Sequence, residues 1–454
     1  MSKNLKLRRG FDIKLAGRAQ KKVSEVEVPE TYALKPTDFI GIKRPKLMVA
    51  EGDKVKAGTP LLYCKLMDRV KYCSPVSGEV IEIRRGPKRK LLEVVISADG
   101  KMEHETVEKV AISELKKMSR ETLVDILLTN GVWPNIIQRP YGVVASPEES
   151  PKSIFISAFD NSPLAPDYDF LFNGEENYFQ AGVEVLRKFT TGKIHVSIDG
   201  KAEVSKVFSH TKNVELHKFT GPHPSGNVGV QIHHLDPVNK DDLVWTVNPY
   251  GVIQMGKLFL EGQYDASAVI AVAGSEVKEP GYFKTYKGAN IQSFIKNNLK
   301  QNNVRIISGN VLTGERIDNN GYLGFYHNLI TVIPEGDKYD MFGWILPTVS
   351  TLSFQRAFGL FSFLNKKKEF VLDTNMKGEK RTFVQTGVFE KVTPMDILPT
   401  YLLKSILAED YDEMEELGIY EVIEEDLALC EFVDVSKHNI QAILRNGLEL
   451  IQNS

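Results

Sequence analysis

Three histidines gather around one glycine-rich stretch, GPHPSGNVGVQIHHLDP, and they are the first residues of this chain that could do chemistry. His223 stands inside a Gly/Pro loop, and His233 and His234 follow at the far end of the stretch. Imidazole titrates near neutral pH, so such a set could hold a ligand or carry a proton linked to a redox step. A histidine in a Gly/Pro loop is more often a hydrogen-bonded structural residue. The spacing has no fixed helical geometry and no companion cysteine, which argues against metal binding by these three.

A second candidate is aromatic. Phe354, Phe358 and Phe361 fall at i, i+4 and i+7 within MFGWILPTVSTLSFQRAFGLFSFL, and Lys366, Lys367 and Lys368 follow closely. Such a face suits a core helix, or a surface that docks on a membrane partner. Crossing a bilayer needs ~20 mostly apolar residues, and Gly343, Pro347, Arg356 and Gly359 interrupt this run.

What is missing narrows the chemistry further. No GxGxxG opens a helix after a strand and no GxxxxGK[ST] occurs, so neither common phosphate cradle is present. There is no CxxC, and three cysteines in all, Cys64, Cys73 and Cys430. That is the usage of a reducing compartment, with no disulfide framework and no iron–sulfur cluster held by this chain alone. The net charge of -2 gives no reason to expect nucleic acid. Charge is unevenly placed, with eight basic residues and one acidic between Lys3 and Lys22, and ten acidic and no basic ones between Glu409 and Asp426. The start MSKNLKLRRGFDIKL lacks the apolar core of a signal peptide.

The elements that must position these residues are modular, because 454 residues exceed one hydrophobic core and suggest three or four domains. KLMVAEGDKVKAGTPLL and SPVSGEVIEI read as a small flattened barrel of the lipoyl/biotinyl type. Its turns are marked by Gly52-Asp53, Gly58-Thr59-Pro60, Pro75 and Gly78, and the alternating run is Val80, Ile81 and Ile83. Carriers of that type place a modified lysine at a hairpin tip. The tip here reads Leu66-Met67-Asp68-Arg69-Val70, flanked by Lys65 and Lys71, so a barrel without an attached group is expected.

Beyond it, strand and helix signals alternate. Strands are expected at Ser153–Phe159, Lys193–Ile198 and Asn213–Phe219, with helices at Asn177–Thr190 and Pro249–Leu260, which is an α/β sheet flanked by helices. Ala266–Ala273, a helix at Asn290–Lys300 and the strand Val304–Ser308 read as a smaller α+β unit. The last part is a helical bundle with helices at 396–408, 411–417, 421–433 and 437–451, Gly418 as a stop and Ser436 as an N-cap.

In this order the motifs identify a family. GFDIKLAG, RRGPKRKLLEVVI, SAFDNSPLAPDYDF, FTGPHPSGNVGVQIHHLDPV, ISGNVLTG and EEDLALCEFV run along essentially the whole chain. The chain resembles the A-subunit family of the Na+-translocating NADH:quinone oxidoreductases (Na+-NQR). More distantly it resembles the C subunit of the Rnf complex and the NADH-binding subunit of respiratory complex I. The resemblance implies an N-terminal segment with a barrel-sandwich domain over 1–100, and a Rossmann-like α/β domain over 101–262. It further implies a β-grasp-like SLBB domain over 263–330, an aromatic connecting segment over 331–390, and a helical domain over 391–454.

In those two relatives a GxGGAGFPT-like loop admits flavin and nucleotide phosphates. The matching place here reads GVWPNIIQRPYG, where Trp133, Pro134 and Ile136 add bulk and proline removes a donor. Cys430 stands alone, with Asp434-Val435 where many family members carry a second cysteine and proline. The resemblance therefore implies a peripheral subunit on the cytoplasmic face of the bacterial inner membrane, with no flavin, NADH or Fe–S site of its own. NADH, flavins and Fe–S belong to other subunits of the complex, and the chief partner is a membrane-embedded flavoprotein subunit. Quinone is a possible ligand, with His223, His233, His234, Phe354, Phe358 and Phe361 as its candidate contacts. Two other classes remain open: a lipoyl/biotinyl-type carrier component, and a stand-alone soluble oxidoreductase.

Overall fold

Glycine turn chemistry closes the barrel. Gly52 and Gly58 adopt φ of +92° and +98° in the computed structural model, angles that side chains with a Cβ resist. The structure describes residues 2–453 except 202–203, 338–340, 343–344, 346–347, 349, 351, 357–363, 365–366 and 384–386. Two small sheets form the sandwich. One contains Thr31–Leu34, Leu91–Ala98, Gly78–Arg85 and Lys54–Val55 in that order, and the other Pro45–Leu47, Pro60–Cys64 and Met67–Cys73. Val80, Val94 and Ile96 are buried between them. Ile81 departs from the expected alternation, because a register shift between Val80 and Glu82 leaves it exposed. The hairpin turn also falls earlier than the sequence suggests: Cys64 pairs with Met67, so Lys65 and Leu66 form the tip.

The α/β domain carries a seven-stranded sheet in the order Asn4–Lys6, Glu215–Thr220, Lys193–Asp199, Ser153–Ser157, Val244–Val247, Ile136–Arg139, Val143–Val144. The first five run parallel and the last two antiparallel. Helices Glu176–Leu186 and Pro249–Glu261 cover the face of Ile154 and Ile156. They can touch because a Cβ on Gly182 would lie 2.0 Å from the Val252 carbonyl oxygen, and one on Gly256 1.9 Å from that of Tyr178. On the opposite face Phe155 packs with Ile232 of helix Val228–Leu235. That helix was not expected from sequence.

A six-stranded sheet follows, ordered Glu315–Ile317, Val304–Ser308, Leu329–Pro334, Ser267–Ala273, Gly281–Tyr286, Val23–Ser24. The helix expected over 290–300 is a single turn, Gln292–Ile295. Asn298 ends it by accepting the Lys278 and Glu279 amide protons through its carbonyl and side-chain oxygens.

The C-terminal helices are Pro399–Ala408, Tyr411–Glu416, Glu424–Val433 and Ile440–Asn453, with Gly418 left-handed at the stop. Ser436 is not the cap of the last helix, since its hydroxyl donates to the Thr382 carbonyl. No helix among the described residues is long and apolar enough to cross a membrane.

The basic N-terminal segment belongs to neither barrel sheet. Asn4–Lys6 joins the edge of the α/β sheet, the Gly17 carbonyl accepts the Gly274 amide at 2.9 Å, and Val23–Ser24 joins the edge of the third sheet.

Candidate functional site

In an open α/β sheet, ligands bind in the crevice outside the carboxyl ends of the parallel strands. Here a cavity of about 310 Å³ opens at the carboxyl ends of the neighbouring parallel strands Ser153–Ser157 and Val244–Val247. Ser157, Phe159, Asp160, Val247 and Asn248 line it from the two strand ends. Val228 and Gly226 bring in the start of helix Val228–Leu235, Tyr326 comes from the third domain, and Glu425 from the C-terminal helices. Asp38 and Ile40 come from the barrel domain, so four domains share one cavity.

The Gly-rich loop is held in place by side chains. Ser157 Oγ donates to the Gly226 carbonyl at 2.8 Å, and Asn161 Oδ1 accepts the Gly226 amide at 3.0 Å. A Cβ on Gly226 would lie 2.8 Å from that same Asn161 oxygen, so the loop needs glycine for this approach. The N-terminal GFDIKLAG motif supports it from behind. Asp12 Oδ1 accepts the His223 amide and the Phe11 amide donates to the His223 carbonyl, both at 2.8 Å.

His223 is buried, lines the cavity, and has no hydrogen-bond partner on either ring nitrogen among the described residues. Buried polar groups are normally satisfied, so this lack of partners is informative. Burial pushes its pKa down to about 4, which keeps the ring neutral at pH 7. Across the cavity desolvation acts in the opposite sense on acids: Asp160 is raised, and Glu425 is pushed up to about 7 against the pull of Arg139. The Tyr168 phenol is raised well above its ordinary range by burial. Arg139, itself buried, is paired with both Asp426 and Glu425. The cavity thus offers a neutral imidazole and a phenol, and its one lining arginine is already neutralised.

The other histidines lie elsewhere. His233 and His234 occupy the last turn of helix Val228–Leu235. His233 Nδ1 donates to Glu421 at 2.6 Å while its Nε2 accepts the Asp396 amide at 3.0 Å, and His234 Nε2 donates to the Pro394 carbonyl at 2.8 Å. Both join the helix to the C-terminal domain, so the expectation that they share a loop site with His223 is corrected. Phe354 is half-buried and meets Phe11 edge-on at 5.2 Å, one residue removed from His223 rather than in the cavity. Phe358 and Phe361 lie outside the described residues.

Trp133 and Ile136 do not fill the cavity either. Trp133 is buried against Phe189 and Trp245, with its Nε1 donating to the Ala145 carbonyl, and Ile136 is fully buried. Their bulk belongs to the core beneath. The cavity residues that the reading by residue type missed are Arg139, Asp160, Tyr168 and Glu425. The only signal for Asp160, Tyr168 and Glu425 was their place in SAFDNSPLAPDYDF and EEDLALCEFV.

Comparison with known proteins agrees with this architecture domain by domain. Residues 5–99 match the family model described as NqrA N-terminal barrel-sandwich hybrid domain, 118–264 the NqrA second alpha/beta domain, and 269–319 the NQRA C-terminal domain. The chain is 37% identical over 450 residues to a protein of Yersinia pestis bv. Antiqua (strain Angola), covering 99% of both chains. It is 36% identical over 447 residues to one of Vibrio alginolyticus, covering 98% of this chain and 99% of the relative. Both relatives carry the name of the A subunit of Na(+)-translocating NADH-quinone reductase. Among solved structures it is similar to an NAD+-reducing NiFe hydrogenase in the air-oxidized state, at 10% identity and a TM-score of 0.38, over 78% of this chain and 67% of that one. With identity of this level spread over all of its domains, the chain belongs to the NqrA family, the A subunits of the Na(+)-translocating NADH-quinone reductases.

Proposed function

We propose that this chain works as the peripheral A subunit of a complex that passes electrons from NADH to quinone and exports Na+, and that its cavity receives a quinone head group. End-to-end identity with the curated relatives supports the first part. The neutral, unpartnered ring of His223 on the cavity wall supports the second. A quinone is a flat apolar ring with two acceptor oxygens, and it needs stacking surface and hydrogen-bond donors. His223 N–H is the donor we assign to one of those oxygens.

Flavin and nucleotide cofactors fit poorly. Their phosphates would face Asp38, Asp160 and Glu425, with the one lining arginine already paired. The chain therefore carries no flavin, NADH or Fe–S group, and its further work is to dock, from the cytoplasmic face, on a flavoprotein subunit embedded in the membrane.

The test is a photoreactive quinone on the intact, detergent-purified complex. Label on peptides spanning residues 223–228 or 425, lost in His223→Phe, is the expected result. Label confined to the other polypeptides of the complex refutes the quinone assignment. Recovery of a C-terminally tagged chain alone, without membrane flavoproteins, refutes its membership of the complex.

One observation favours the carrier reading: Lys65 sits at the exposed hairpin tip. Intact mass decides it, because a carrier chain must be heavier than its sequence, with the increment on Lys65.

A further inference from the structure

A second cluster lies on the sheet away from the cavity. Strands Lys193–Asp199 and Glu215–Thr220 run parallel, with His195 opposite Glu215 and Ser197 opposite His217. Alternation by two puts Glu215 and His217 on one face, and the register sets His195 beside them. His195 Nδ1 lies 2.9 Å from His217 Nε2, and Glu215 Oε2 lies 4.0 Å from each. The point equidistant from these three atoms is about 2.1 Å from each, inside the range of about 2.0–2.2 Å for zinc to imidazole nitrogen or carboxylate oxygen. We propose that His195, Glu215 and His217 bind one divalent transition ion of the zinc class.

Lys193 Nζ bonds Glu215 Oε1 at 2.7 Å, and the other oxygen, Oε2, is the one that faces the histidines. Two imidazoles and one carboxylate select zinc-like ions over magnesium or calcium. Both histidines are buried, and the half-buried Glu215 is the way in.

The bland reading, two histidines bonded to each other, defines the ion-free state. The Lys3 amide donates to His217 Nδ1 at 3.1 Å, so the ring proton sits on Nε2 and is donated to His195 Nδ1. An ion on Nε2 sends that proton to Nδ1, where it opposes the Lys3 amide. Occupation must therefore break this bond, which lies next to the edge strand Asn4–Lys6.

The experiment is titration of the full-length, tag-free, metal-stripped chain with Co2+ and then Zn2+. One Co2+ per chain with visible absorption, displaced by Zn2+, is expected. Glu215→Gln and His217→Gln should each weaken binding at least tenfold, with the exposed His210→Gln as an unchanged control. Hydrogen exchange of the Lys3 amide should quicken when Zn2+ is added. Thermal unfolding of the same samples separates loss of ligand from loss of fold, and Glu215→Gln, being isosteric, keeps the test valid if a histidine variant misfolds. No saturable binding to the wild-type chain overturns the proposal, as does binding that survives both His195→Gln and Glu215→Gln.

Discussion

Arg139 and Asp426 are separated by 287 positions in sequence and by 2.6 Å in space, and both are buried. The pair ties the last regular strand before the cis-proline turn of the α/β domain to the third residue of helix Glu424–Val433. Asp426 also accepts the Ile423 amide at 3.1 Å, so the same carboxylate serves the start of its own helix. Removing one partner strands the other charge without water. Arg139→Met is expected to cost ~3–5 kcal/mol, read by urea denaturation, with the C-terminal helices becoming the first site of proteolysis. Arg139→Met combined with Asp426→Leu should recover part of that loss, and a double variant that loses the sum of the singles would show that the two residues do not interact.

Gly229 should tolerate nothing larger. Its added Cβ would sit 2.3 Å from both Asp426 carboxylate oxygens and 2.5 Å from Arg139 Nη1. Gly229→Ala is expected to destabilise by ~1–3 kcal/mol through overpacking, although alanine is the better helix former. A variant as stable as wild type would mean that this charge pair can move aside at no cost.

Stability should depend on pH through two cavity groups of opposite sign. His223 is held down to about 4, below its ordinary 6.5, so its contribution is whole above pH 6.5 and is lost as pH falls toward 4. Glu425 is pushed up to about 7 from 4.5, so its contribution is whole below pH 4.5 and is lost as pH rises through 7. Between pH 4.5 and 7, Glu425→Gln should gain stability relative to wild type as pH rises, and His223→Gln should lose less than wild type as pH falls. Stability curves parallel to wild type in both variants would remove these groups from the account.

The three thiols should be silent in the folded chain. Cys64, Cys73 and Cys430 are buried, burial raises the Cys73 thiol, and it pushes Cys430 up to about 12. Thiolate is the reactive form, so an aromatic disulfide reagent at pH 8 should release less than one equivalent until urea is added. Rapid release of one equivalent without urea would revive a redox role for this chain.

Much of the scaffold was legible because its signals are local. The barrel was readable from Gly52, Gly58 and Gly78, and the strand Val304–Ser308 was placed to the residue from its apolar run between polar ends. Helix Val228–Leu235 was hidden by its own packing, because Gly229 is required against Asp426 and weakens the helical pattern on which sequence reading depends. The same hidden helix made His223, His233 and His234 look like one group, whereas its length carries the last two to Glu421 and Pro394. The cavity acids were illegible for another reason. Asp160 and Glu425 come from different domains, and no spacing rule connects residues that meet only through tertiary docking.

The basic leading segment bears on how the chain assembles. Its strands Asn4–Lys6 and Val23–Ser24 leave the ribosome long before their partners Glu215–Thr220 and Gly281–Tyr286. The barrel, whose strands are near neighbours in sequence, can close while the leader is still unpaired, and both sheet edges wait for it. Eight positive charges in the leader keep that waiting strand from pairing with other copies of itself. During synthesis this segment, made before both of the strands it pairs with, is thus the latch that closes last.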